Sequence, residues 1–451
     1  MKHMNMQYSM LALAAFLASC AGIPKEAAPP TPVPLGSVVA NEAPARGALI
    51  DAIEMRMESP EPIVRNLDKS LIGLKLDTAL LERAGFFDAV ASLRPSMLPV
   101  RQFKIHYWSE DPKGRPIKLS GALFLPLADA GQGKAVPLVL ICHGTQLNRA
   151  KVPSRMLGSE RQIGILAAST GLAALLPDYP GMGDADGFHP YCLAASLEAM
   201  GVDMLRAVRR FLSAYAKGAY AEAPRTYVGG YSEGGYVAMA VLKGLMTRFK
   251  GEFPLAMGFP MAAPCDMSGA MRRTMAGIVP IPSPYYLAYT LLGWAPFYPE
   301  LDPMRMLDPA YIDALLPLMD GTGDSGPVNA MIAELQGVPK GRAVASLMLR
   351  AEWREAIANP GSNEKGLSVL AALRENDLHD WEPDPSVPMK LCHSRADELV
   401  PYENSVATLE AMRGRGGRIE LVELTQKSHS DSGIEAYGLM LLDIWKDAGE
   451  L

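Results

Sequence analysis

The chain has 451 residues, 49% of them apolar and 20% charged, with a formal net charge of −6 and no basic block. Its length exceeds one ordinary domain and falls short of three, and the composition is that of a folded protein with a large core. The charge balance argues against a nucleic-acid partner, and an acidic substrate would need a local patch of opposite sign.

Residues 1–20 read as a targeting segment. Lys2 supplies the positive start, Met10–Ala18 the apolar centre, and Leu17–Ala18–Ser19–Cys20 the end. The apolar run is too short to span a bilayer. The segment resembles the lipobox of bacterial lipoproteins, which implies acylation of Cys20 and a membrane anchor; the competing reading is an ordinary cleaved signal. With Ala21 next, the resemblance implies the outer membrane. Residues 21–48, rich in Pro and Ala, read as an extended tether. Leu49–Leu98 shows helical periodicity in patches, including Leu71–Ala84, and is expected to form N-terminal helices packed on the body.

From Phe103 the pattern changes. Phe103, Ile105 and Tyr107 alternate with polar residues, Asp111–Lys113–Gly114 turns, and Leu119–Leu125 resumes, which predicts a hairpin. Pro137–Cys142 is a continuous apolar run, the mark of a strand buried on both faces. A helix over Arg161–Thr170 and a strand over Leu172–Leu176 follow. A long helix over Leu193–Tyr215 comes next, then a strand from Arg225, a helix carrying Val237, Val241 and Leu245, and a strand over Pro254–Phe259. This alternation predicts a doubly wound, mostly parallel sheet with its first part in residues 49–266. Residues 267–385 break the rhythm with prolines, methionines and aromatics and are expected to form a helical cap. Residues 386–451 restore it: a strand at Pro388–Cys392, a helix over Glu403–Arg413, a strand at Arg418–Leu424 and a closing helix.

Between the strand from Arg225 and the next helix lies Gly230–Tyr231–Ser232–Glu233–Gly234, a G-x-S-x-G pattern. A serine on so tight a turn has strained backbone angles, and side chains two positions either side would collide. The following helix brings backbone N–H groups beside the hydroxyl. A serine hydroxyl needs a base, and a carboxylate must hold that base in the correct tautomer. Ser232, Asp397 and His429 each follow a predicted strand, and in a parallel sheet those strand ends share one edge. Asp266 also follows a strand and is a rival acid; Glu398 adjoins Asp397 but is expected to point elsewhere. His143 and His189 lie in loops that would shape the site. No cysteine–histidine spacing suits a metal, and no cofactor is called for. Cys142 and Cys392 read as buried thiols, while Cys192 and Cys265 are candidates for a disulfide.

Gly230–Gly235, Asp178–Tyr179–Pro180–Gly181–Met182–Gly183 with His189–Pro190–Tyr191, and Ser394–Pro401 ahead of His429 together resemble the α/β-hydrolase superfamily over roughly 103–444. Within it the chain is similar to secretory lipase-A-like lipases and bacterial esterases, with His393–Ser394 where many relatives have histidine–glycine. The resemblance implies a carboxylic ester hydrolase acting on a small-molecule or lipid ester. Ser232 would be the nucleophile, His429 the base and Asp397 its orienting acid. The Glu233 amide would be one oxyanion donor, and Thr145 or Asp178 the other. Gly144, Tyr179 and Tyr231 are the candidate substrate contacts. The rivals are a serine peptidase or an acyltransferase on the same fold, and a non-catalytic surface-binding lipoprotein.

Overall fold

The computed structural model describes residues 36–40, 43–65, 76–216, 218–277 and 280–450. The targeting segment with Cys20, residues 21–35 of the tether and the first part of the expected helix Leu71–Ala84 lie outside the described residues.

Ten strands form one sheet: β1 (Gly36–Val39), β2 (Leu49–Glu58), β3 (Val100–Glu110), β4 (Pro116–Pro126), β5 (Lys134–Cys142), β6 (Ala173–Pro177), β7 (Tyr220–Tyr231), β8 (Leu255–Met261), β9 (Met389–Ser394) and β10 (Ile419–Leu424). Their order is β1-β2-β3-β4-β6-β5-β7-β8-β9-β10. The pairs from β1 to β4, and β4 with β6, are antiparallel. Every pair from β6 onward through β5, β7, β8, β9 and β10 is parallel. This is a doubly wound α/β-hydrolase sheet with an antiparallel N-terminal edge.

That edge departs from expectation at two places. Gly36–Val39, within the stretch read as tether, pairs with β2. Leu49–Glu58, read as helical, is a ten-residue strand against β3. Its side chains are mostly half-buried, so its apolar residues carry no clean period of two, and Leu49, Ile53 and Met57 mimic helical spacing. Pairing across the sheet overrides that local signal. The expected helices do appear beyond it, at Ala79–Ala84 and Phe86–Leu93.

The apolar run in β5 is explained by burial on both faces. Leu138, Leu140 and Cys142 enter one core with the helices Ala194–Arg210 and Glu233–Met246. Val139 and Ile141 enter the other, with Ser159–Ser169, the N-terminal helices and the closing helix His429–Ala448. Each such side chain contributes roughly 1.5–3 kcal/mol on burial.

Between β8 and β9 the chain leaves the sheet for a series of short helices. Two begin at Asp–Pro pairs: Asp302 accepts from the Met304 amide (2.9 Å) and Asp308 from the Ala310 amide (3.0 Å), with Pro303 and Pro309 at the first helical position. An acidic cap followed by proline is a sequence-level start signal. Hydrogen bonds seat this cap on the body: Trp294 Nε1 donates to Tyr191 O (2.8 Å), and the Tyr289 hydroxyl to Gln146 O (3.0 Å). No described helix is long and apolar enough to cross a membrane.

Candidate active site

Ser232 sits between β7 and the helix Glu233–Met246 with φ 62° and ψ −125°, in the left-handed half of backbone space that a serine rarely occupies. The flanking glycines explain how. A Cβ on Gly230 would drive into the Gly234 carbonyl, and one on Gly234 into the Cys142 carbonyl at the end of β5. The turn is therefore pressed against the neighbouring strand, with no room at either position. The Ser232 amide donates to Met261 O of β8 (3.0 Å), which fixes the turn from the other side.

Asp397 and His429 meet although 32 residues separate them, since each follows one of the paired strands β9 and β10. His429 Nδ1 lies 2.6 Å from Asp397 Oδ2. The other carboxylate oxygen accepts the amides of Leu399 (2.9 Å) and Val400 (2.8 Å). Burial pushes the Asp397 carboxyl up, but the attraction of His429 and the hydrogen bonds of His393 and His429 outweigh it. Its pKa is held well below the usual carboxylate range. His429 opens the last helix, whose cap Ser428 accepts from the Asp431 amide (3.2 Å). Its own amide donates to Glu398 Oε2 (2.9 Å), so Glu398 braces the histidine backbone. The Tyr231 hydroxyl donates to His429 O (2.9 Å), tying the serine turn to the helix that carries the histidine.

Ser232 and His429 line one cavity of about 310 Å³, together with Gly144, Thr145 and Tyr231. An imidazole whose Nδ1–H is given to a carboxylate has Nε2 left to exchange a proton.

The two options for a second oxyanion donor separate. The Asp178 amide is spent on Ser120 O (3.1 Å), a contact between β4 and the end of β6. Its carboxylate is buried on the Ser120 hydroxyl (2.6 Å) and the Ser154 amide (2.9 Å). Asp178 is thus a fold residue, which corrects the expectation from the lipase-A-like pattern. Thr145 faces the cavity, and its amide makes no hydrogen bond among the described residues. Glu233, the first residue of its helix, places its amide directly after the serine.

Tyr179 is also corrected as a substrate contact. It is fully buried, donates to His143 O (2.7 Å) and stacks on the His143 ring. Asp266, the rival carboxylate, caps the next turn instead: its two oxygens accept the Gly269 (2.9 Å) and Ala270 (2.7 Å) amides. Cys192 and Cys265 are free, as are Cys142 and Cys392, and burial pushes all four thiols up. Arg272 and Arg350 use their guanidiniums on backbone carbonyls, of Ser268 (2.9 Å) and Leu307 (3.0 Å) among others.

One pair escaped sequence reasoning. Glu233 Oε1 lies 2.5 Å from His189 Nε2, both side chains almost wholly buried, and His189 Nδ1 donates to Pro180 O (2.9 Å). It locks the serine turn to the loop after β6. Glu233 stood in the motif only as an unspecified position, so no spacing rule pointed at its partner.

No protein-family model matches the sequence, and no curated protein does. Solved structures do match. A Legionella pneumophila protein named as a hydrolase aligns with a TM-score of 0.70 at 21% identity, over 88% of this chain and 97% of its own. The rice cell wall degrading esterase LipA of Xanthomonas oryzae aligns at 0.68 and 20%, over 89% and 98%. Candida antarctica lipase A in its closed state aligns at 0.53 and 13%, over 89% and 83%. The chain therefore has the α/β-hydrolase fold shared by these esterases and lipases.

Proposed function

We propose that this protein hydrolyses carboxylic esters through an acyl-serine intermediate. The observation that carries the reading is the 2.6 Å contact of His429 Nδ1 with Asp397 beside a cavity that Ser232 also lines. Esterases and lipases among its structural neighbours support it at the level of fold.

In this mechanism Ser232 Oγ attacks the ester carbonyl as His429 Nε2 takes its proton. The carbonyl oxygen becomes an oxyanion held by the amides of Glu233 and Thr145, each donor lowering the barrier by about 3 kcal/mol. As the C–O bond breaks, His429 returns the proton to the departing alcohol oxygen. A water, deprotonated by the same histidine, then releases the acid. Asp397 stays ionised and orients the imidazole throughout. A test is turnover of acetyl and butyryl test esters by the full chain and by Ser232→Ala. Loss of nearly all turnover in a variant with unchanged circular dichroism is expected, and full rates in that variant would overturn the reading.

We also propose that Cys20 is acylated and holds the enzyme at the outer membrane, where it meets small-molecule or lipid esters. The support is the lipobox-like Leu17–Ala18–Ser19–Cys20. Acyl mass on the mature N-terminus, and release of the protein by Cys20→Ser, are expected. A soluble wild-type protein with no acyl mass would contradict it.

A further inference from the structure

Two cavities open from Ser232. Their walls differ in a way that bears on which half of an ester each would hold. The larger, about 310 Å³, runs beneath the N-terminal segment and the closing helix, with Ile63, Leu81, Phe86, Ile163, Leu166 and Ile434 in its wall. The smaller, about 90 Å³, runs into the cap between Met267, Met271, Met275, Met306, Leu291 and Trp294. Both are mainly apolar. His429 and Thr145 line the larger cavity and not the smaller, while Ser232, Tyr286 and Leu399 line both.

Proton delivery decides the orientation. When the acyl-serine forms, the Ser232 Oγ–C bond is made and the carbonyl C–O bond to the alcohol breaks. The proton taken from Ser232 passes from His429 Nε2 to the alcohol oxygen. That oxygen must lie on the side of Ser232 that His429 occupies, so the alcohol extends into the larger cavity. The acyl chain leaves the carbonyl carbon in the other direction, toward the cap. Unbranched thioether side chains make an adaptable wall for a flexible chain. Apolar walls on both sides favour apolar groups on both sides of the scissile bond.

We infer that the substrates are esters of a bulky apolar alcohol with a short or medium acyl chain: the alcohol lies in the larger cavity beneath Ile63, Leu81 and Phe86, and the acyl chain in the methionine-lined cavity of the cap. The inference rests on the acyl-serine reading. It gives the N-terminal segment a share in choosing the alcohol.

The test uses two ester series on the full chain. One is a set of 4-nitrophenyl esters from acetate to palmitate, and the other a set of butyrates from methyl to 2-naphthyl. Ile434→Trp narrows the larger cavity and Met275→Trp the smaller. Ile434→Trp is expected to lower kcat/KM for 2-naphthyl butyrate about tenfold more than for methyl butyrate. Its ranking of acyl lengths should match that of the wild type. Met275→Trp should shift the acyl ranking toward acetate by a similar factor and keep the alcohol ranking. Exchanged effects, or rankings that ignore both substitutions, would overturn the assignment while leaving ester hydrolysis standing. No turnover of either series above the Ser232→Ala background would remove the acyl-serine reading as well. Should a tryptophan variant fail to fold, the wild type answers alone. A crystal structure of its adduct with a 4-nitrophenyl phosphonate bearing hexyl on phosphorus and a naphthylmethoxy arm, formed as Ser232 Oγ displaces 4-nitrophenolate, should place hexyl in the cap. The reverse placement would refute the inference.

Discussion

Asp397 Oδ2 lies 2.6 Å from His429 Nδ1, and the carboxylate that makes this contact is itself held by two backbone amides of its own loop. The imidazole is thus oriented by a group that cannot turn away. Asp397→Asn keeps the shape but offers an amide N–H where an acceptor is needed, favouring the wrong tautomer. A fall in kcat of about 10⁴-fold is expected, with KM little changed, measured on 4-nitrophenyl butyrate. A loss below about tenfold would assign Asp397 a structural role.

The same residue has a signature in acid. Its folded pKa is depressed, because His429 and His393 together outweigh the burial that would raise it. A depressed carboxyl contributes stability that is present above its unfolded pKa of about 3.9 and is lost as pH falls through the folded value. The stability gap between wild type and Asp397→Asn should therefore shrink as pH is lowered below about 4. Urea unfolding at a series of pH values measures it, and a gap that widens in acid would contradict the assignment.

Gly234 faces the Cys142 carbonyl with no space for a Cβ. Gly234→Ala must push the serine turn off β5, and backbone on both sides resists. Loss of several degrees in Tm with loss of ester turnover is expected. A variant as stable and active as the wild type would show that the turn is looser than its contacts imply.

Thr145→Pro deletes one N–H at the cavity wall. If that amide holds the oxyanion, kcat should fall about 10²-fold with little change in KM. Steady-state kinetics on one ester reads both numbers. An unchanged kcat would return the donor to another group.

The His189–Glu233 pair is buried with almost no solvent contact. Removing one partner strands the other, so His189→Ala should cost about 3–5 kcal/mol of stability. Replacing both, as His189→Phe with Glu233→Leu, should cost less than the sum of the single changes. Chemical denaturation of the two singles and the double checks this. Strict additivity would mean that the two side chains do not act together.

How much of this was legible in the sequence follows from what each signal depends on. Gly230-x-Ser232-x-Gly234 could be read because the pattern lies within five residues, although the group that excludes a Cβ at Gly234 is the Cys142 carbonyl of the neighbouring strand. Asp397 and His429 could be placed because each follows a strand of the parallel part of the sheet, where topology brings distant residues to one edge. Leu49–Glu58 could not, because a half-buried strand, second from the sheet's edge, has no clean period of two. The choice between Thr145 and Asp178 needed the pairing of β4 with β6, which decides whose amide is already spent. Tyr179 has the chemistry of a substrate contact, but only its burial against His143 shows that it supports the loop instead. The share of Ile63, Leu81 and Phe86 in a cavity wall belongs to packing between segments hundreds of residues apart.

The most direct measurement of the central claim is intact-mass and peptide-mass analysis after exposure to a fluorophosphonate. One adduct is expected, on Ser232, formed rapidly by the wild type and far more slowly by His429→Ala. An unlabelled protein, or an adduct on another residue while Ser232 stays free, would contradict it.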